Sequence, residues 1–240
     1  MEQLSNSKQN IQYSLSIRFS SDGFSLSIYD ELNKLLTLKT VSVLLFSLSE
    51  EEIVKLLIQE TENLLNFQSI RLICESDNYS FVPATIFKEE DAGIFLQFND
   101  KLNKNDRILF NRLPQFDMVN VFSIPKALKE ALINLYPDLT IEHHLSYFLT
   151  DKIKLQKENS LQIWVRPKFM DVIIMKNGNV ILINSYTYLT SEDFVFFTLN
   201  LFEQLSLDTE KHKVKLYNLQ KTSDILRLIQ KYVKYCEVID

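Results

Sequence analysis

Gly23, Gly93 and Gly178 are the only glycines in 240 residues, where ordinary usage of about 7% would supply roughly seventeen. Phosphate-gripping loops depend on glycine, because backbone N–H groups must close on phosphate oxygens without a Cβ in the way. Neither a P-loop nor a dinucleotide fingerprint can be written with this inventory. Cysteine is also scarce: Cys74 lies in an apolar run and Cys236 near the C-terminus. Neither has a CxxC partner or a neighbouring histidine to suggest a metal or redox pair. Few glycines and five prolines leave little room for long flexible linkers. A run of ~20 apolar residues, the length that crosses a bilayer, is missing too: the longest charge-free stretch of the first third, Val41 to Ser49, is short and serine-rich. Residues 1–12 have neither the basic start nor the apolar stretch of a secretory signal, so the expected location is the cytoplasm.

What is present is core material. Hydrophobic residues make up 46% of the chain and charged residues 24%, enough for one large domain or two modest ones. Seventeen Phe and ten Tyr suit strands and core layers. The net charge of −5 argues against a chain that binds nucleic acid or anionic membrane over its whole surface. Local charge is less even. From Lys211 onward Lys211, Lys213, Lys215, Lys221, Arg227, Lys231 and Lys234 outnumber Asp224, Glu237 and Asp240, a pattern read as a solvated helix face.

Tyr13 to Ser20 alternates strictly, with Tyr13, Leu15, Ile17 and Phe19 on one side, the period of a half-buried strand. Asp22-Gly23 then reads as a hairpin turn into Phe24, Leu26 and Ile28; a two-residue loop there would set Phe19 opposite Leu26 and Ile17 opposite Ile28. A third strand is expected over 35–45. Ser47 to Glu52 supplies a cap and acidic first turn for a helix whose stripe is Ile53, Leu57, Ile58, Thr61, Leu64 and Leu65. Ser69 to Cys74 reads as the next strand. The second half repeats this order: a strand at 161–165, a hairpin of 169–176 and 180–186 around Asn177-Gly178, a helix capped by Thr190 and Asp193, a strand at 214–219, a helix over 222–235 and a last strand at 236–239. Both hairpin strands are apolar on both faces, as in the middle of a covered sheet. Between the halves lie 81–86, a helix candidate at 88–98, a hairpin from Arg107 to Ser123, a helix at 126–136 and a helical stretch at 144–158. The domain boundary is placed in the polar segment 151–160.

The order of three strands, helix, strand, helix, duplicated across a central boundary, is that of the actin-like ATPase superfamily. Four strings strengthen the likeness: LSIRFSSDGFSLSIYD (15–30), FVPATIFKEEDA (81–92), VNVFSIPKAL (119–128) and MDVIIMKNGNVILINSYTYLTSEDFVFFTLNLFEQLSLD (170–208). Together they resemble a family of unknown function found chiefly in the Bacteroidetes, classed as actin-like and distantly similar to pilus-assembly proteins of that fold. The resemblance implies an α/β chain with mixed sheets and a duplicated actin-like, ribonuclease-H-like fold. Its first half would span 11–150, with an inserted strand-helix segment at about 80–124, and its second 160–240.

In such a fold two hairpin turns face a nucleotide, here Ser20-Ser21-Asp22-Gly23 and Arg166-Pro167-Lys168-Phe169. Active members carry an Asp followed by glycines and hydroxyl residues in the second turn, so that amides hold phosphate and the acid orients a metal-bound water. Here Pro167 lacks an N–H altogether, and no glycine follows Gly178 to let an adenine approach the backbone. Asp22, Gly23, Arg166 and Lys168 are what remains of a cofactor-binding set; Asp22 could hold magnesium, and Arg166 and Lys168 could attract phosphate through side chains alone. The plainer reading of Asp22-Gly23 is a hairpin turn. His143-His144 has no ligand spacing to His212 and adjacent residues point apart, so a structural role at a helix start is expected rather than a metal site. Asp171, even paired with Asp22, falls short of the three or four carboxylates of a two-metal nuclease. Trp164 reads as a sheet residue packed on a helix.

The first reading is therefore a non-catalytic binding or scaffold protein that keeps the interdomain cleft and has lost the nucleotide machinery. It expects no catalytic residues, cofactor or metal; its partner would be another protein, with no membrane insertion. A nucleotide-dependent kinase or ATPase with diverged loops is the alternative, and nucleic-acid binding through the basic C-terminal segment a third.

Overall fold

The computed structural model describes residues 13–20, 23–43, 48–61, 67–97, 104–153 and 159–239. The chain divides into two compact units, one of Met1–Arg112 with Val119–Ser146, the other of Leu113–Met118 with Tyr147–Asp240.

In the first unit, β1 (Tyr13–Ser20), β2 (Gly23–Tyr29) and β3 (Leu35–Ser42) form an antiparallel meander. The helix α1 (Glu50–Thr61) then leads to β4 (Phe67–Cys74), which returns parallel to β1. Its start is a capping box: Ser49 N donates to Glu52 Oε2 at 2.8 Å and Glu52 N to Ser49 Oγ at 3.3 Å, which holds the Glu52 carboxyl below its ordinary range. Ile53 and Leu57 are buried as the stripe requires, but Ile58 is exposed; Leu64 and Leu65 lie outside the described residues.

After β4 come β5 (Tyr79–Pro83), α2 (Ala92–Gln97), β6 (Asp106–Leu113) and β7 (Met118–Pro125). The three strands make a small sheet in the order β5-β7-β6. Helix α3 (Lys126–Leu135) and β8 (Thr140–His143) complete the unit, giving the main sheet the order β3-β2-β1-β4-β8. The four residues of β8 carry too little pattern to stand out in the sequence. The apolar sides of β1 and β2, with Leu72, meet Ile53, Leu57, Leu128 and Leu132 in one core.

The helical stretch that follows β8 opens with α4 (His144–Tyr147) and continues as a wider turn through Ile153. The second unit is built from β9 (Ser160–Arg166), β10 (Phe169–Lys176), β11 (Asn179–Thr187), α5 (Ser191–Gln204), β12 (Lys213–Tyr217), α6 (Asp224–Ile229) and β13 (Tyr235–Ile239). Its sheet order, β11-β10-β9-β12-β13, repeats the first sheet strand for strand, with the first three strands antiparallel and the last two parallel. A helix sits between the third and fourth strands in both halves, and another before the fifth. Leu161, Ile163, Val172 and Ile174 pack with Phe194, Leu201 and Phe202 of α5 on one face of this sheet.

Several expectations need correction. The first hairpin pairs Phe19 with Phe24, Ile17 with Leu26 and Ser20 with Gly23. Gly23 is thus a strand residue, and Asp22 lies outside the described residues. The expected register differs by two residues, which leaves every side chain on its own face, so the apolar pattern accommodates both. Strand β11 is the sheet edge, with much of it exposed, so of the two hairpin strands β10 alone is buried on both faces. Helix α6 ends at Ile229, because the chain turns through 230–232 and buries Val233. The basic C-terminal residues therefore share no single helix face: Lys211 pairs with Asp208, Lys234 with Glu210 and Arg227 with Asp224.

The cap of α5 yields a direct expectation. Thr190 Oγ1 accepts from Asp193 N at 3.1 Å, and Asp193 Oδ2 accepts from Leu189 N and Thr190 N, each at 3.0 Å. Those two amides hold the Asp193 carboxyl below its ordinary range. Thr190→Ala should cost about 1 kcal/mol, roughly 2–4 °C in Tm for a chain of this size. A folded pKa below the unfolded one adds stability above about pH 4 that is lost as pH falls through the folded value. The Tm difference between wild type and Asp193→Asn should accordingly shrink on acidification, which a thermal melt series in pH checks.

Candidate functional site

The hairpin of β9 and β10 closes with two residues, Pro167 and Lys168, since Arg166 pairs with Phe169. Pro supplies the fixed φ of the first corner, and Lys168 takes the left-handed conformation at φ 67°. Strand alternation then puts Ser160, Gln162, Trp164 and Arg166 on the sheet face opposite the core of Leu161, Ile163 and Val165. Asp171 stands directly across from Trp164 and, on its other side, from Ser185. Arg166 is therefore its diagonal neighbour on the same face, within reach of a long side chain.

The contact is made in full. Arg166 Nε donates to Asp171 Oδ2 at 2.7 Å and Nη2 to Oδ1 at 2.9 Å, while Ser185 Oγ donates to Oδ1 at 2.6 Å. The two charged side chains are 6% and 0% exposed. The guanidinium also lies over the Phe169 ring at 4.9 Å, and its own backbone carbonyl accepts from Tyr188 Oη at 2.8 Å. Burial pushes the Tyr188 phenol up. Lys168 O accepts from Tyr188 N at 2.9 Å, so both corners of the turn are tied to the end of β11. Further along this face Tyr217 Oη donates to Gln162 Oε1 at 2.8 Å, and Gln162 Nε2 to Ser160 Oγ at 2.7 Å; burial foremost, with Glu237 second, pushes the Tyr217 phenol up to about 12. Trp164 packs edge-on against Phe148 at 4.9 Å between centroids, the sheet-on-helix role expected of it.

In the first unit Gly23 stands under β3. Its φ is +146°, and a Cβ there would run into the Val41 carbonyl oxygen. The glycine is thus required by the close approach of β2 and β3, with no ligand needed to account for it. The second candidate loop residue of this unit, Asp22, is not among the described residues. Gly178, by contrast, completes a two-residue turn with Asn177, both at positive φ (53° and 81°), as a type I′ hairpin requires.

A buried polar knot that the sequence reading did not assemble sits at the end of β8. His143 Nε2 donates to Ser76 O at 2.9 Å, which places the proton on that nitrogen and leaves Nδ1 to accept from Asn120 Nδ2 at 2.9 Å. Asn120 Nδ2 also donates to Ser146 Oγ, and His143 N donates to Asn111 Oδ1. His143 and His144 were expected to point apart. They straddle the junction of strand and helix, and their rings meet at 4.3 Å between centroids. Hydrogen bonding on both ring nitrogens fits a structural junction. Among the described residues no group of three or more His, Cys, Asp or Glu side chains is arranged to hold a metal. No helix among them is long and apolar enough to cross a membrane.

Two sheets of the same strand order, each with its helix after the third strand and its parallel fourth and fifth strands, define the actin-like ATPase fold. Solved structures agree. A Bacteroides thetaiotaomicron protein described as having an actin-like ATPase fold and unknown function matches with a TM-score of 0.78 and 24% identity, over 100% of this chain and 94% of that one. The PilM–PilN type IV pilus biogenesis complex contains a chain matched at TM-score 0.55 and 12% identity, over 95% and 88%. The ethanolamine utilization protein EutJ of Carboxydothermus hydrogenoformans gives 0.54 and 8%, over 94% and 84%. At these identities the likeness is one of fold. The chain belongs to the family described as protein of unknown function (DUF3822), whose model matches residues 2–236. No curated protein matches it.

Proposed function

We propose that this member of the actin-like fold is a non-catalytic binding or scaffold protein of the cytoplasm. The observation that carries the reading is the state of the β9–β10 turn. Where an active member presents successive backbone amides to phosphate, this chain has Pro167, which has no N–H, and Lys168. Of the two cations at this turn, Lys168 is exposed to solvent and Arg166 is spent in a bidentate bond to Asp171. Phosphate would have to compete with a buried carboxylate already in ideal geometry for a guanidinium fork. Gly23 has its own structural reason, and three glycines in the whole chain leave no second source of the missing loops. A partner protein, in keeping with the pilus-complex neighbour, is the ligand class this reading favours.

Ligand-linked stabilisation tests it. A nucleotide bound at about 5 µM and supplied at about 5 mM adds about 4 kcal/mol to stability, which is several degrees in Tm. We expect magnesium with ATP, ADP or GTP to leave the melting temperature within about 1 °C of the ligand-free value; a rise of several degrees with any of them favours a kinase or ATPase with diverged loops.

A further inference from the structure

Asn177-Gly178 is the sole Asn-Gly pair in the sequence, and it forms the tip of the β10–β11 hairpin with Asn177 exposed. The side-chain amide of an asparagine holds an electrophilic carbon, Cγ, close to the backbone nitrogen of the next residue. A Cβ on that residue hinders their approach, and glycine has none. Beyond its chain neighbours, no heavy atom lies within 4 Å of where a Cβ on Gly178 would stand, so the space around this nitrogen is open. The hydrogen bond that closes a two-residue turn is donated by the residue after it, here Asn179, which pairs with Lys176; the Gly178 N–H stands outside that bond. What opposes reaction is conformation. Both turn residues hold positive φ, 53° and 81°, and ring closure needs the peptide between them to rotate out of the type I′ shape. The tip is weakly held against such rotation. Only two residue pairs, Lys176–Asn179 and Met175–Val180, separate the turn from a bulge at Ile181, beyond which Ile174 pairs with Leu182. Strand β11 is the sheet edge, and Lys176, Asn177, Asn179 and Ile181 are all exposed. An interrupted ladder with few buried contacts opens at low free energy. One tie restrains it: Asn177 N donates to Asn159 Oδ1 at 2.7 Å.

We propose that Asn177 is a site of spontaneous deamidation, a covalent ageing site at the hairpin tip. Gly178 N gives up its proton to base and attacks Asn177 Cγ. The N–Cγ bond forms, the Cγ–Nδ2 bond breaks, and Nδ2 leaves as ammonia with a proton regained, which closes a succinimide ring. Water then opens the ring at one of its two carbonyls. Cleavage of the new N–Cγ bond leaves aspartate on an intact backbone; cleavage at the Asn177 backbone carbon leaves the chain running through Cγ, as isoaspartate. Nothing is oxidised or reduced, and either product adds one negative charge to the net of −5. The two differ in what they do to the fold. Aspartate keeps the hairpin, because Asp-Gly suits the same type I′ turn. Isoaspartate puts an extra carbon into the main chain of a turn with only two residues, so the pairing of Lys176 with Asn179 is lost and the tip comes apart as far as the bulge.

The test is peptide mapping by mass spectrometry of the full chain, kept folded and warm at mildly alkaline pH over days, with aspartate and isoaspartate told apart by fragmentation. Asn177 should convert to both, faster as pH rises, and at least several-fold faster than Asn179 and Asn184, which are also exposed but precede Val180 and Ser185. Asn159→Ala, which releases the tie on the turn, should raise the rate at Asn177 several-fold while leaving Tm within about 1 °C of wild type. Asn177→Asp should keep the wild-type Tm and circular dichroism spectrum, as the turn chemistry requires. A folded chain that stays unconverted at Asn177 while the same chain converts in urea overturns the proposal, because the turn is then locked. Conversion no faster than at Asn179 and Asn184, or a rate that Asn159→Ala leaves unchanged, overturns it as well.

Discussion

Asp171→Ala should destabilise the protein by about 3–5 kcal/mol, the cost of leaving one member of a buried ion pair without the other. Arg166 would keep its charge, and its two donors to Asp171 would lose their acceptors, in a site where the side chain is 6% exposed. Ser185 would lose its acceptor as well. Chemical denaturation at neutral pH is the measurement, with the midpoint expected to fall and the slope to stay the same. Replacing the pair together, Arg166→Met with Asp171→Leu, should recover most of the loss, because a matched apolar pair removes the desolvation cost along with the attraction. A single variant as stable as wild type would show that the guanidinium has other partners that suffice, and would reopen Arg166 as an anion site.

Gly23→Ala is expected to be comparably severe. A side chain at φ +146° already costs about 1–3 kcal/mol, and the added Cβ would also meet the Val41 carbonyl oxygen, backbone that cannot step aside without parting β2 from β3. A total of about 3 kcal/mol or more places it in the tail of single substitutions. Gly178→Asn is the comparison. Its φ of +81° is again positive, but a Cβ there meets nothing, and Asn tolerates the left-handed region, so the loss should stay near or below about 1 kcal/mol. Equal losses at the two glycines would mean that turn conformation, rather than strand approach, sets the requirement at Gly23.

The sequence disclosed the elements whose pattern is periodic or strongly apolar. Alternation marked β1 and β2, the unbroken apolar run marked β10, and Asn177-Gly178 and Thr190–Asp193 marked a turn and a cap. Relations between elements were less visible. A two-residue shift of the first hairpin keeps every side chain on its face, so only the need for glycine beneath Val41 selects the observed register. The position of β11 at an edge depends on which strand fails to arrive beside it, a fact of topology that its own residues do not carry. The end of α6 is fixed by the burial of Val233 and the parallel pairing of β13 with β12. Of the candidate site, Arg166 and Lys168 were found as residues of a turn, but the partner of Arg166 was not. Once the turn is known to have two residues, Arg166 and Asp171 fall on one face as diagonal neighbours and Ser185 falls opposite Asp171. The signal was therefore a spacing of five across a Pro-containing hairpin, legible only with the register in hand. The knot of Asn111, Asn120, His143 and Ser146 joins residues from four segments and leaves no local trace.

Calorimetric titration of the full chain with magnesium and ATP tests most directly whether the fold has kept its nucleotide. The absence of saturable heat up to millimolar ATP, the same for wild type and Asp22→Ala, is the predicted result; a dissociation constant at or below about 10 µM, a binding energy of about 7 kcal/mol, abolished by Asp22→Ala, would contradict it.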